Sequence, residues 1–195
     1  MDNKLLWMFI LEVQNQCRYA LIAYDELQRT MAEVRKNMEA MRSSDAIQRN
    51  LLKKQGDILT DRVFFFIHGF LSHIANVSKI FWPSRKLFEA RGIKLRQELN
   101  INAGSPVENR HYRNHLEHFD ERLERWASSS KAGLVDRNIT FDGAQIIANG
   151  SQIFRNLRVP EMQFTFGGEY CELIPIAEEI RKIRKAAKEW LSQNT

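Results

Sequence analysis

Apolar residues recur at helical spacing through the first stretch of the chain: Leu6, Phe9, Ile10, Val13, Cys17, Ala20, Ala23, Tyr24 and Leu27. This pattern predicts an amphipathic helix. No proline occurs before Pro83 and no glycine before Gly56, so nothing interrupts it until the polar Arg42-Ser43-Ser44-Asp45. A second long helix is expected beyond that break. Its later part (Val63 to Phe66, Phe70, Leu71, Ile74, Val77, Ile80 and Phe81) is apolar on most sides, which suits the centre of a bundle. Trp82-Pro83-Ser84 should end it, and residues 85–99 read as a shorter amphipathic helix.

Ser105-Pro106-Val107-Glu108 carries the clearest start signal: an N-cap serine, proline at the first helical position and glutamate three residues after the cap. The helix it predicts runs to about Trp126 and fades in Ala127-Ser-Ser-Ser130. After Gly133 the period changes. Met162, Phe164 and Phe166 alternate with Gln163 and Thr165, and Gly167-Gly168 separates them from another short alternating run. That is a β-hairpin pattern, extended to a meander if Ile153 to Leu157 joins it. Pro175 opens a last helix ending near Leu191. The expectation is one mainly α domain over residues 1–195, a helical bundle with a small antiparallel β-hairpin or meander at about 134–174, before the C-terminal helix.

Composition narrows the class without naming a partner. The chain has 195 residues, 44% hydrophobic and 27% charged, enough for a core and for solubility. Its net charge of +5 excludes an acidic tail but is modest for a nucleic-acid binder. The surplus lies in residues 35–54, 84–98 and 181–195. Residues 105–125 hold four arginines against five acids. Cys17 and Cys171 stand far apart among apolar neighbours, the pattern of small buried hydrophobes. The run Leu5 to Leu11 is too short for a membrane span and lacks a cleavage site, so a cytoplasmic protein without membrane association is expected.

Residues 110–118 read RHYRNHLEH and hold three of the five histidines. On a helical wheel Tyr112, Leu116, Phe119, Leu123 and Trp126 make an apolar stripe. Arg110, Arg113, Asn114, Glu117, His118 and Glu121 occupy the opposite side. Arg113-Asn114-His-Leu-Glu-His118 resembles the motif of the HEPN superfamily: arginine, then four to six residues of which the first is commonly Asn, Asp or His, then histidine. A shuffled chain of this composition would contain the strict form only about 0.03 times. The looser Arg62…His68 match falls in an apolar segment. The resemblance implies a helical-bundle ribonuclease that needs no metal or other cofactor and works on RNA as a homodimer, with Arg113, Asn114 and His118 of both copies in one cleft. It also implies a toxin or antiviral effector held in check by an antitoxin or other regulatory protein. Arg110, His111, His115 and Glu117 would support the site.

The residue types suit that chemistry. An imidazole titrating near neutrality can move the proton of the 2′-hydroxyl, and a guanidinium grips phosphate through two parallel hydrogen bonds. Two other readings remain open from the residues alone. His111, His115 and His118, at i, i+4 and i+7, have a spacing that transition metals accept, although the second Glu-x-x-His helix of di-iron bundles is missing. A non-catalytic module that binds protein or RNA is the third. His68 and His73 are expected in or beside the core.

Overall fold

The computed structural model describes residues 2–109, 117–129, 134–141 and 152–194. It is mainly α, with a small sheet before the C-terminal helix, as the periodicities predict. Helix α1 spans Asn3–Ser43 and α2 spans Ala46–Phe81. Between them Ser44 Oγ donates to Ala40 O (2.7 Å) and Asp45 Oδ1 accepts from Gln48 N (2.9 Å), so short polar side chains close one helix and open the next. A 3-10 turn (Lys86–Phe88) leads into α3 (Glu89–Glu98); α4 is Phe119–Ser129 and α5 is Leu173–Gln193. Pro175 sits in the first turn of α5, where its missing N–H has no helical acceptor to lose.

The chain divides into two compact units. The first comprises residues 1–22, 69–117 and 173–195, the second residues 23–68 and 118–172. Both α1 and α2 contribute to each.

In the first unit Leu6, Ile10, Val13, Cys17 and Ala20 of α1 are buried, at intervals of four and three. Phe70, Ile74, Val77 and Phe81 of α2 and Leu173, Ile176, Ile180 and Ile183 of α5 fill the same core. The polar edge is tied by Gln16, whose Oε1 lies 2.8 Å from His73 Nδ1 and accepts from Asn76 Nδ2 at 3.2 Å. Helix α3 seats Gly92 hard against the C-terminal end of α2. A Cβ there would overlap Phe81 O and lie 2.8 Å from Pro83 Cδ.

In the second unit Leu27, Met31 and Val34 continue the buried row of α1, and Leu59, Val63, Phe64 and Ile67 supply that of α2. The strands are β1 (Leu134–Val135), β2 (Asn138–Thr140), β3 (Gln152–Ile153), β4 (Arg155–Arg158), β5 (Gln163–Phe166) and β6 (Glu169–Glu172). The antiparallel meander β4-β5-β6 is joined at β4 by β2, which pairs in parallel, while β1 and β3 form a short parallel ladder. The parallel pairings were not foreseen; they arise because β1 and β2 reach the sheet from well upstream in the chain rather than through a hairpin. Between β5 and β6, Gly167 (φ +55°) and Gly168 (φ +91°) both take the left-handed backbone that a two-residue turn of this hand requires. Phe154, Phe164 and Phe166 are buried beside one another; Phe154 meets Phe119 and Trp126 of α4, Phe166 meets Phe119, and Phe164 meets Phe64 of α2. Leu123, placed by the wheel on that same apolar stripe, is instead 39% exposed.

Cys17 and Cys171 are buried free thiols, and burial pushes both up to about 12. By length and composition α2 could cross a membrane, but half of its most apolar window is buried inside the protein, as in a core helix.

Candidate functional site

Ser105 caps a helical turn, as its sequence predicts, but the turn is 3-10 and short. Pro106–Glu108 forms it, Ser105 Oγ accepts from Val107 N (3.4 Å), and Glu108 Oε2 reaches back to Gly104 N (3.2 Å). Asn109 is then extended (φ −61°, ψ 114°), so the helix expected to run on from Ser105 stops there. The capping chemistry is right and the length is not: the serine satisfies local donors whichever helix type follows. Ser105 Oγ also donates to Glu179 on α5 (3.0 Å), so the turn is held from the side within the first unit.

Arg110, His111, Arg113, Asn114 and His115 lie outside the described residues. Glu117 and His118 are described, one in each unit.

Glu117, in the first unit, has Oε1 2.5 Å from Lys79 Nζ, with both side chains roughly half exposed. The two line a cleft of about 320 Å³ with Pro83, Ser84, Arg85, Phe88 and Arg91. Three cations against one carboxylate leave it at +2. The Arg91 guanidinium lies 4.7 Å from the Phe9 ring and 5.0 Å from that of Phe88. Its Nε is buried and has no hydrogen-bond partner among the described residues, and burial holds its pKa below the ordinary arginine value. Arginine nevertheless stays charged at neutral pH. Arg85 and Arg91 both belong to the basic segment 84–98. In the basic segment 181–195, by contrast, Lys182 and Lys185 already face Glu179 (3.7 Å) and Glu189 (3.9 Å).

In the second unit His118 is exposed, with Nδ1 3.3 Å from Glu121 Oε1. Its carbonyl accepts from Arg122 N (3.2 Å), which places it on the first turn of α4. At about 100° per residue, His118, Arg122, Arg125 and Ser129 share one face of that helix. Arg122, Arg125 and Ser129 line a cleft of about 440 Å³ with Trp126, Ile153, Gly167, Gly168 and Glu169. Glu169 Oε1 is 3.4 Å from Arg122 Nη1, so the cleft carries +1. Sequence reasoning assigned no role to Arg122 or Arg125. Their i+4 and i+7 spacing from His118 is the signal that was there to be read.

His68 and His73 are half-buried. His68 Nε2 lies 3.4 Å from Arg155 Nη1, and burial, with the Arg155 charge, holds its pKa below the ordinary imidazole value. Burial does the same to His73, against a smaller opposing effect of Glu12. Both fit the border positions the sequence suggests. Among the described residues no group of three or more His, Cys, Asp or Glu is gathered closely enough to hold a metal ion.

No protein-family model, curated protein or solved structure matches the chain.

Proposed function

We propose that the protein is a metal-independent endoribonuclease of the HEPN kind, acting in the cytoplasm as a homodimer, with Arg113, Asn114 and His118 as its catalytic residues. One observation carries the reading: Glu117, inside the motif, lines a cleft with Lys79, Arg85 and Arg91 and the partly exposed ring of Phe88. Cations beside an aromatic face suit a phosphate backbone and an unstacked base, which is how single-stranded RNA is held. The second unit adds a matching feature in the His118, Arg122 and Arg125 face of α4.

In this reading an imidazole takes the proton of a ribose 2′-hydroxyl and the freed oxygen attacks the adjacent phosphorus. The bond to the 5′-oxygen breaks, and an imidazolium, supplied by the second copy, protonates that leaving oxygen. The products carry a 2′,3′-cyclic phosphate and a 5′-hydroxyl. Arg113 balances charge on the phosphate, and Asn114 orients its neighbours. If His118 Nδ1–H donates to Glu121, Nε2 is the nitrogen that exchanges the proton. A toxin or antiviral role under an antitoxin-like regulatory protein belongs to the same proposal.

The test incubates the protein with RNA in EDTA beside His118→Ala and Lys79→Ala/Arg85→Ala variants. The expected result is cyclic-phosphate products from wild type, none from His118→Ala, and at least about tenfold weaker RNA binding by the double variant. RNA with a 2′-deoxy residue at the cut position should survive. Binding without cleavage by wild type would favour the non-catalytic module. Activity lost in EDTA and restored by one metal would favour the metal reading.

A further inference from the structure

The N-terminal half of α2 carries a second apolar seam that no described residue covers. Ile47 (77% exposed), Leu51 (64%), Ile58 (62%) and Phe65 (72%) stand on one face of the helix. The exposed residues between them, Lys54 and Asp61, complete a spacing of four, three, four, three, four. All six lie in the second unit, in a row about 27 Å long. Single exposed hydrophobes are ordinary on a protein surface, but four large ones on one helix face, interrupted only by one lysine and one aspartate, are not. The opposite face of this helix, through Leu59, Val63 and Ile67, is already buried. The exposed row is therefore a second helix-packing surface with the repeat of a coiled-coil seam.

We infer that this seam packs antiparallel against the same seam of a second copy of the chain, about a two-fold axis passing between Lys54 and Ile58. The charges choose both the partner and the direction. Two copies in parallel would set Lys54 on Lys54 and Asp61 on Asp61. Antiparallel, Ile47 meets Phe65 of the second copy, and Lys54 comes within one turn of the second copy's Asp61; the two-fold repeats both contacts. A pair of opposite charges at these distances makes the row complementary to itself. Asp61 also pairs with Arg137, but its side chain remains 63% exposed and can face a further cation. The same two charges, set in the middle of the row, would have to enter the lipid if this face met a membrane, where no opposite charge offsets their desolvation as the second copy's does.

The inference builds on the two-copy part of the ribonuclease reading and is independent of catalysis. Sedimentation of the full chain over a concentration series, with folding checked by circular dichroism, tests it. Wild type should dimerise, and Leu51→Glu should weaken the dimer at least about tenfold, because in this register it sets a carboxylate against the second copy's Asp61 on both sides of the axis. Lys54→Glu alone and Asp61→Lys alone should each weaken it, and the double charge swap should restore it. A monomeric wild type, a dimer indifferent to Leu51→Glu, or singles that the double swap does not rescue would each overturn the proposal. So would wild type floating with neutral lipid vesicles when Leu51→Glu does not. RNA cleavage measured on the same samples separates the two proposals. Cleavage with an unperturbed Leu51→Glu dimer removes this face alone, and a Leu51-dependent dimer that cuts nothing removes the nuclease alone.

Discussion

Arg155 binds Asp136, His68 and Phe119 within the second unit, and replacing it with methionine tests how that unit is held together. Its Nε donates to Asp136 Oδ1 (2.8 Å) and its Nη2 to Oδ2, a two-pronged grip. Its guanidinium lies 5.4 Å from the Phe119 ring and 3.4 Å from His68 Nε2. The arginine side chain is 13% exposed and that of Asp136 35%. Stranding one partner of a fully buried pair costs about 3–5 kcal/mol, while an exposed pair contributes about 0–1 kcal/mol. This pair lies between, so Arg155→Met should destabilise by about 2–3 kcal/mol in urea unfolding, since methionine keeps much of the packing on Phe119. A double-mutant cycle with Asp136→Asn should give a coupling of about 1.5 kcal/mol. The pH dependence supplies a second readout. Burial alone would raise the Asp136 carboxyl, but the hydrogen bond and charge of Arg155, with those of Arg137, hold it below the ordinary carboxylate value. A depressed carboxylate contributes stability that is present above its unfolded pKa and lost as pH falls through the folded one. Removing Arg155 leaves the upward push of burial less opposed and moves the folded pKa back toward the unfolded one, so the acid-side loss of stability due to Asp136 should flatten and the Arg155→Met penalty should be smaller at low pH than at neutrality. His68, freed of the neighbouring cation, should titrate higher by NMR. A coupling below about 0.5 kcal/mol with an unmoved acid limb would refute the argument.

Gly92→Ala should destabilise the first unit by about 2 kcal/mol or more in the same urea assay, although alanine is the better helix former, because its Cβ would meet the Phe81 carbonyl and Pro83. Stabilisation by this change would mean that α3 can move off α2 freely. The depressed imidazoles predict a pH effect as well. His68 and His73 are held neutral in the fold, so their contribution is intact above the ordinary imidazole pKa and declines as pH falls below it. Melting temperature should therefore drop between neutrality and about pH 5, and His73→Gln should flatten that slope.

Much of the fold was legible because local chemistry and burial agree. The Arg42-Ser43-Ser44-Asp45 break is a break because Ser44 and Asp45 bond backbone groups that a continuous helix would use itself. The Gly167-Gly168 turn could be read because few other residues adopt two successive left-handed conformations. The parallel partnership of β2 with β4 could not. Asn138–Thr140 is too short to alternate convincingly, and its pairing is settled by sheet neighbours such as Asn156, whose Oδ1 accepts from both Asn138 Nδ2 and Thr140 Oγ1. Nothing within three residues of sequence encodes a partner 18 positions away.

The candidate site divides along the same line. Local spacing supplied the Arg113-Asn114-x3-His118 motif, but the cations around Glu117 come from Lys79 at the end of α2 and from Arg85 and Arg91, which no local pattern links to it. Periodicity also conceals as it reveals. Reading α2 for its strongest apolar stretch directs attention to Val63–Phe81 and to burial. Ile47, Leu51 and Ile58 then pass as scattered hydrophobes in a polar half-helix. Only when Leu59, Val63 and Ile67 are seen to occupy the core do the remaining apolar positions resolve into a row on the far side. Lys54 and Asp61, which made that half look solvent-facing, are then the residues that give the row its direction. A seam with opposite charges at equivalent spacing is a specification for an antiparallel partner, and the partner that carries the complementary order without further assumption is the chain itself.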